Sequence, residues 1–148
     1  IGQPDPASDA KVAQTFVQIS VFYKNLDSKD EFSVYVMGNE GIASQLDGYV
    51  DQKVGNAVLI NVGRGSELPT SQPDIIILGD KSKVEQVKDY CRDNDILSIT
   101  NIPSLVDKGI SLGIGNNGGQ TAILLNAKAT KAEGVEWKSA MMKLADMN

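Results

Sequence analysis

The chain has 148 residues, of which 41% are hydrophobic and 22% charged, and its formal net charge at pH 7 is -5. This length suits one globular domain that buries roughly 70% of the surface of its unfolded chain. The acidic balance and the scattered Lys and Arg residues argue against a nucleic-acid-binding surface. The absence of histidine excludes Ser-His-Asp and Cys-His catalysis, His-ligated zinc and a histidine pH switch.

The amino-terminal stretch is polar and rich in proline, and the chain begins with Ile1 rather than Met. We expect residues 1–10 to be a flexible segment of a chain shortened by export or by trimming. Residues 11–148 are expected to form a single α/β domain, because no linker, repeat or low-complexity stretch divides them. No run approaches the ~20 apolar residues of a membrane span, so direct membrane insertion is not expected.

The first half of the domain alternates between helix and strand. Apolar residues recur three and four positions apart from Ala10 onward, which predicts a helix capped by Ser8 or Asp9. Runs of β-branched and aromatic residues then predict strands that are each stopped by turn residues. The expected elements are a helix over residues 10–25, a strand over 32–37, a helix over 42–51 and a strand over 57–62.

The second half begins with an unbroken apolar run, Ile75–Leu78, which is typical of a central strand covered on both faces. Two later apolar runs flank a Gly-Asn-Asn-Gly-Gly sequence, and this pattern predicts an antiparallel hairpin. The remaining expected elements are a helix over 82–94, a strand over 96–99, hairpin strands over 111–114 and 121–125, and helices over 127–131 and 135–147. Together they predict an α/β fold with a largely parallel sheet flanked by helices, a C-terminal antiparallel hairpin and a closing helix.

The hairpin turn also matches the pattern G-x-G-x-x-G, from Gly113 to Gly118. In a dinucleotide-binding fold these glycines open a helix whose amino terminus holds a pyrophosphate. Here a strand follows instead of a helix, and the ribose-binding acid expected ~20 residues further on has no second strand to carry it. We therefore interpret the glycines as a hairpin turn and predict no cofactor.

Two further glycines, Gly38 and Gly79, stand where a predicted parallel strand meets a helix. Such turns hold anionic ligands in many α/β folds, which leaves a small-ligand-binding or nucleotide-handling domain as an alternative function. A tight strand-to-helix turn requires glycine in any case, and Asp80 or Ser82 is suited to cap a helix. Glu40 beside the first turn would repel an anion.

Several other residues carry chemistry but are better explained by structure. Cys91 is the single cysteine, and its register with Val84 and Val87 predicts a buried, reduced thiol rather than a redox sensor. The acidic residues Asp89, Asp93 and Asp95 lack the glycine and glutamate of a calcium loop. The side chains of Trp137, Met141 and Leu144 share a helical face and are expected in the core. No catalytic or metal-binding residue is assigned.

The order of these segments resembles the YfiR-like family of bacterial periplasmic proteins. The likeness runs from about Lys11 to Ala145 and rests on the strand that ends at Gly38-Asn39, the hairpin that ends at Asn126, and the closing Lys143-Leu144-Ala145. The chain is identified as a divergent member, because the Glu-Trp-Pro that commonly ends the first helix of the family is absent.

This resemblance implies a non-enzymatic periplasmic regulator that binds and represses a membrane signalling protein, of the diguanylate cyclase or sensor kinase type. Its partner would be the periplasmic region of that inner-membrane protein, with a second copy of the chain left open as a further partner. Aromatic anchors dominate many protein interfaces, and the first helix is apolar on more than one side. We therefore name Phe22 and Tyr23 as candidate partner-binding residues, with a core role for Tyr23 as the alternative.

Overall fold

The computed structural model describes residues 3–147 and shows a mixed α/β fold built on a nine-stranded sheet. The strands are β1 (Asp5–Pro6), β2 (Glu31–Met37), β3 (Lys53–Val54), β4 (Ala57–Gly65), β5 (Ile75–Leu78), β6 (Leu97–Thr100), β7 (Leu112–Asn117), β8 (Gln120–Leu125) and β9 (Asp146–Met147). The helices are α1 (Asp9–Ile19), α2 (Glu40–Asp47), α3 (Val84–Asn94), α4 (Ala127–Ala132) and α5 (Met141–Leu144).

The strand order is β3-β4-β2-β5-β6-β7-β8-β9, and β1 pairs with β7. The strands from β4 to β7 run parallel, whereas β3 with β4, β7 with β8 and β1 with β7 are antiparallel. The sheet is therefore mixed, and the expectation of a largely parallel sheet is corrected. The reason is local, because the two-residue connections that join β3 to β4 and β7 to β8 permit only antiparallel pairing.

The centre of the sheet is covered on both faces, as the unbroken run of β5 predicts. Ile75 and Ile77 pack in the larger core with α1 and α2, while Ile76 and Leu78 pack with α3 on the opposite face. Successive side chains of a strand point to opposite faces, so a strand buried on both sides needs apolar residues at every position.

The first two helices are shorter than their periodicity predicts. Helix α1 ends at Ile19 rather than near residue 25, and two 3-10 turns, Ser20–Phe22 and Lys24–Ser28, follow it. The Ser20 hydroxyl donates to the Phe16 carbonyl (2.7 Å), a local bond that competes with helix continuation. Helix α2 ends at Asp47 rather than at 51, and Asp51 itself has a left-handed backbone, with φ of 70°.

The closing segment departs furthest from expectation. A closing helix is present as α5, but it covers only Met141–Leu144 of the predicted 135–147. The preceding residues are extended because their backbone pairs with the chain after α1: the Lys24 amide donates to the Glu136 carbonyl (2.9 Å) and the Lys138 amide to the Phe22 carbonyl (2.8 Å). Long-range pairing has overridden a local helical pattern.

The hairpin is confirmed. Strands β7 and β8 are joined through Gly118 and Gly119, both with positive φ, and Asn116 Oδ1 accepts a hydrogen bond from the Gly119 amide (2.9 Å). The G-x-G-x-x-G pattern therefore belongs to a strand and a turn, and it does not open a helix. Among residues 3–147, no helix is both long and apolar enough to span a bilayer.

The described part of the expected amino-terminal segment has defined pairing. Asp5 and Pro6 lie opposite Asn116 and Gly115 in β1, and Ser8 caps α1 by accepting from the Lys11 amide (3.2 Å). The first strand therefore pairs with the part of β7 next to the hairpin turn.

Candidate functional site

The carboxyl ends of β2 and β5 are where a parallel α/β sheet of this order would hold a ligand. Strand β2 is followed by a connection to β4 on one side, and the chain then crosses to β5 on the other. Ligands in open α/β sheets bind at such a switch point, in the crevice between the two strand ends. Here Gly38 follows β2 and Gly79 follows β5, as the sequence predicts.

The two turns are packed against each other and fill the space between them, while an open pocket of about 250 Å³ lies on the β4 side of Gly38 and Asn39. A Cβ placed on Gly38 would lie 2.5 Å from the Asp80 Cβ, and one placed on Gly79 would lie 2.5 Å from the Asn39 Cβ. Each glycine is thus needed for close approach of the opposite turn, and Gly38 also has a φ of 84°.

The polar side chains at these turns are used as helix caps. Asn39 Oδ1 accepts from the Ile42 amide (3.1 Å) at the start of α2, while Asn39 Nδ2 donates to Asp9 Oδ1 (3.2 Å). Asp80 accepts from the Ser82 hydroxyl and amide, and these bonds lower the pKa of its carboxyl. The geometry therefore supports a structural role for both turns, as helix caps, over a ligand-binding role.

An open groove lies beside the crevice, between the exposed face of β2 and β4 and the loop that follows β4. It has a volume of about 250 Å³. The Tyr35 hydroxyl donates to the Glu67 carbonyl (2.6 Å) and so holds the loop over the sheet. Its lining is largely uncharged and polar, and includes Ser33, Tyr35, Asn61, Gly63, Thr70 and Gln72.

Arg64 closes one end of this groove and faces the sheet edge. Its guanidinium pairs with Asp47 and with Glu40 (3.4 Å) of α2, and Nη2 also donates to the Val62 carbonyl (3.1 Å). The hydrogen bond from Arg64 lowers the pKa of the Asp47 carboxyl. The cation is therefore committed to internal partners.

The two candidate partner-binding residues occupy different environments. Tyr23 is 4% exposed and packs in the larger core, whereas Phe22 is half-buried at its margin. Val21 beside them is 40% exposed. Of the two aromatic rings, only that of Phe22 has substantial contact with solvent.

Tyr23 contacts a segment that we call the strap, defined as residues 134–138. The backbones of Tyr23 and Trp137 form an isolated antiparallel bridge, and their rings lie 5.4 Å apart, centroid to centroid. Asn25 completes the pairing: its Nδ2 donates to the Gly134 carbonyl (3.0 Å) and its Oδ1 accepts from the Glu136 amide (2.9 Å). The strap therefore fixes the chain that carries Phe22.

The expected apolar face of the last helix is only partly in the core. Met141 is buried and Trp137 half-buried, but Leu144 is 51% exposed. The three residues do not share one helix, because the strap is extended. The Leu144 expectation was wrong for this reason.

A buried cluster of one glutamate and two serines lies at the end of α4, immediately before the strap. Glu133 is fully buried, and its carboxylate accepts hydrogen bonds from the Ser98 amide (3.1 Å), the Ser98 hydroxyl (2.5 Å) and the Ser111 hydroxyl (2.5 Å). Burial raises the pKa of Glu133 to about 7, against the opposing effect of these donors and of Arg92. Sequence reasoning missed this cluster, because Lys131-Ala132-Glu133-Gly134 has the composition of a solvated helix end.

Cys91 in α3 and Asp95 at its carboxyl end have structural roles. Cys91 is buried and unpaired, as predicted, and burial raises the pKa of its thiol. Asp95 takes a left-handed backbone, with φ of 55°, where α3 ends. Within residues 3–147, no group of three or more His, Cys, Asp or Glu side chains is arranged to hold a metal ion.

Comparison with protein families places this fold. A family model described as YfiR/HmsC-like matches residues 10–146. The chain belongs to this family. The resemblance inferred from the strand and hairpin motifs is thereby confirmed. The matched residues include the elements on both sheet faces, the strap and the closing helix.

The chain is also similar to a solved structure, that of a conserved domain protein from Vibrio cholerae O1 biovar El Tor. The TM-score is 0.62 at 11% sequence identity, which shows a shared fold. The match covers 97% of this chain and 60% of the other, so the chain spans well under two thirds of that structure's length. A comparison with curated proteins found no match.

Proposed function

We propose that this chain is a non-enzymatic periplasmic regulator that binds and represses a membrane signalling protein of the diguanylate cyclase or sensor kinase type. The observation that carries the proposal is membership of the YfiR/HmsC-like family over residues 10–146. The resemblance of the sequence to periplasmic regulators of that family supplies the cellular role. The proposed partner region is the periplasmic part of the signalling protein.

The chemistry of the chain supports a binding role. It has no histidine, and its one thiol is buried with a raised pKa, so neither common nucleophile-base pair is offered. The space between the turns at Gly38 and Gly79 is filled by their mutual packing. A regulator that acts by contact needs an exposed anchor instead of such a cleft.

Phe22 is the residue proposed to make that contact. Its ring is half-buried beside the exposed Val21, and its carbonyl accepts from the Lys138 amide (2.8 Å), so the strap holds its backbone. A partly buried aromatic side chain on a fixed backbone loses little conformational entropy on binding. Tyr23, which is buried, is proposed to support this surface through Trp137.

The test begins with capture of membrane proteins, solubilised from the source organism, on the immobilised chain. A captured protein with a cyclase or kinase module is then purified, and its catalytic rate is measured with and without the chain. We expect the chain to lower that rate and Phe22→Ala to weaken binding at least tenfold. The matched control is Ile60→Ala, which shortens an apolar side chain that is 43% exposed on β4.

Three results would overturn this proposal. The first is that no signalling protein is captured by the wild-type chain. The second is that the captured protein keeps its full rate when the chain is bound. The third is that the purified chain itself turns over a nucleotide or glycan. Circular dichroism of both variants would establish that they are folded.

A second candidate function is binding of a small, uncharged polar ligand in the groove beneath the loop after β4. The groove of about 250 Å³ and its hydroxyl and amide lining favour it. A ligand at 100 times its dissociation constant should stabilise the chain by about 2.7 kcal/mol, which a thermal-shift screen detects. Asn61→Ala should abolish that shift, and a screen without any stabilising compound would exclude this function.

A further inference from the structure

Among residues 3–147, the donors to the Glu133 carboxylate are all neutral. Ser98 gives two hydrogen bonds and Ser111 gives one, and the Ser111 amide in turn donates to the Ser98 hydroxyl oxygen (2.9 Å). The two serines lie on β6 and directly before β7, so the cluster joins α4 to two neighbouring strands. A fully buried carboxylate without a directly bonded cation is costly to keep ionised.

The cluster can accommodate Glu133 with or without its proton. A serine hydroxyl both donates and accepts, so it bonds either to a carboxylate oxygen or to a carboxylic O–H. The hydrogen-bond network therefore survives protonation, while the desolvation cost falls only on the charged form.

The charged and titratable groups near Glu133 come from α3 with its C-cap and from the turn after α1. Helix α3 contributes Arg92, which favours the charged form, and the buried Cys91; the turn after α1 contributes Tyr23. Asp95, at the end of α3, lies close to the position that a Gly134 Cβ would occupy (3.3 Å). Arg92 makes no hydrogen bond to Glu133: its Nη2 donates to the Gly109 carbonyl (3.4 Å), and its buried Nε has no hydrogen-bond partner in the described part of the chain.

Glu133 is covalently joined to the strap at its hinge. The next residue, Gly134, has a φ of 72°, a conformation that favours glycine. Ser98 lies between Leu97 and Ile99, which belong to the α1 face, so its side chain and Glu133 lie on the α3 face. Val135 packs on the α1 face. The chain therefore passes from one face of the sheet to the other directly after Glu133.

We propose that Glu133 is a proton-linked latch for the strap: its neutral form keeps residues 134–138 docked on the chain that carries Phe22, and its ionised form releases them. In the released form the end of α4 that carries Glu133 moves together with the strap, so that the carboxylate reaches water and the Tyr23–Trp137 contact breaks. This inference concerns the isolated chain and does not rest on the proposed partner.

The sequence makes the latch directly observable. Trp137 is the single tryptophan and lies in the strap, so intrinsic fluorescence reports its docking. The chain has no histidine, and histidine is the side chain that ordinarily titrates between about pH 5 and pH 8. Burial raises the pKa of Glu133 to about 7, which lies within that window.

The experiment is a titration of tryptophan emission in the native chain from about pH 5 to about pH 8.5. We expect a red shift with a midpoint near pH 7 in the wild type. Glu133→Gln, which keeps the shape and removes the charge, should show no such transition. The matched control is Glu136→Gln, the same change in an exposed strap residue, which should titrate like the wild type.

A second variant keeps the proposal testable if Glu133→Gln does not fold. Ser111→Ala removes one donor that favours the ionised form, so the midpoint should move to higher pH. A wild-type emission spectrum that is constant over the whole range would overturn the proposal. So would a transition that persists unchanged in both Glu133→Gln and Ser111→Ala.

Discussion

Tyr23 and Trp137 lie in contact although they are far apart in sequence: their ring centroids are 5.4 Å apart, with the planes inclined by 44°. The same two residues form the antiparallel bridge between the turn after α1 and the strap. Tilted aromatic pairs of this kind add about 0.5–1.5 kcal/mol beyond the apolar area they bury. The pair therefore fastens the closing segment of the domain to its first helix.

We expect Trp137→Ala to lower the free energy of unfolding by about 2–3 kcal/mol. The loss is below that of a fully buried tryptophan, because the side chain is half-buried. Urea denaturation followed by circular dichroism measures it. Val21→Ala, an exposed apolar truncation nearby, should change stability by less than about 0.5 kcal/mol, and equal losses in both variants would contradict the assigned role of the aromatic pair.

The stability of the chain should fall as pH rises from about 5 to about 8. The pKa of Glu133 is raised from 4.5 to about 7 in the folded state, so the folded chain binds a proton that the unfolded chain has released. This contribution is fully present below pH 4.5 and is lost as pH rises through about 7, with an upper limit of about 3 kcal/mol.

Urea midpoints measured across this range test the expectation. Glu133→Gln should remove most of the slope and should be more stable than the wild type at about pH 8. A wild-type stability that rises over the same interval would show that Glu133 is ionised in the fold without penalty.

The helices and strands with strong local patterns could be predicted from the sequence. The wrong predictions concern segments that pair with residues distant in the sequence. The run Ile75–Leu78 predicted a strand buried on both faces, and the glycines before β8 predicted the hairpin. Residues 135–140 have helical periodicity, yet the backbones of Glu136 and Lys138 pair with those of Lys24 and Phe22, which no local rule anticipates. The antiparallel pairing of β1 with β7 likewise joins residues that are far apart in the sequence.

Gly38→Ala should be more destabilising than Gly118→Ala. Both glycines have positive φ, so an alanine is strained at either position. At Gly38 the new Cβ would also lie 2.5 Å from the Asp80 Cβ, whereas at Gly118 nothing lies within 4 Å. We expect an additional loss of about 1–3 kcal/mol in the unfolding free energy of Gly38→Ala. Equal losses for the two variants would mean that the turns are not closely packed.

The candidate site was predictable only in part. The positions of Gly38 and Gly79 at strand ends followed from the sequence, but their mutual packing depends on the order of β2 and β5 in the sheet. The buried position of Glu133 could not be predicted, because its hydrogen-bond partners Ser98 and Ser111 lie 35 and 22 residues earlier in the chain. A charged residue at a helix end is ordinarily solvated.

Cys91 should react with a thiol reagent far more slowly in the native chain than in urea. Its side chain is fully buried, and the raised pKa keeps it as the less nucleophilic thiol. The rate at about pH 8 should drop at least 100-fold on folding, as measured by absorbance of the released chromophore. Labelling at the unfolded rate would restore a redox role for this residue.

The guanidinium of Arg64 has a consequence for how copies of the chain meet. Beyond the short pairing with β3, the outer edge of β4 carries no neighbouring strand among residues 3–147. Such an edge is a template for strand addition and for edge-to-edge aggregation. The Arg64 guanidinium donates a hydrogen bond to the Val62 carbonyl and so places a cation at this edge. Its ion pairs with Asp47 and Glu40 hold the guanidinium there. A cation held at this edge disfavours strand addition, and Arg64→Ala should therefore increase self-association of the chain.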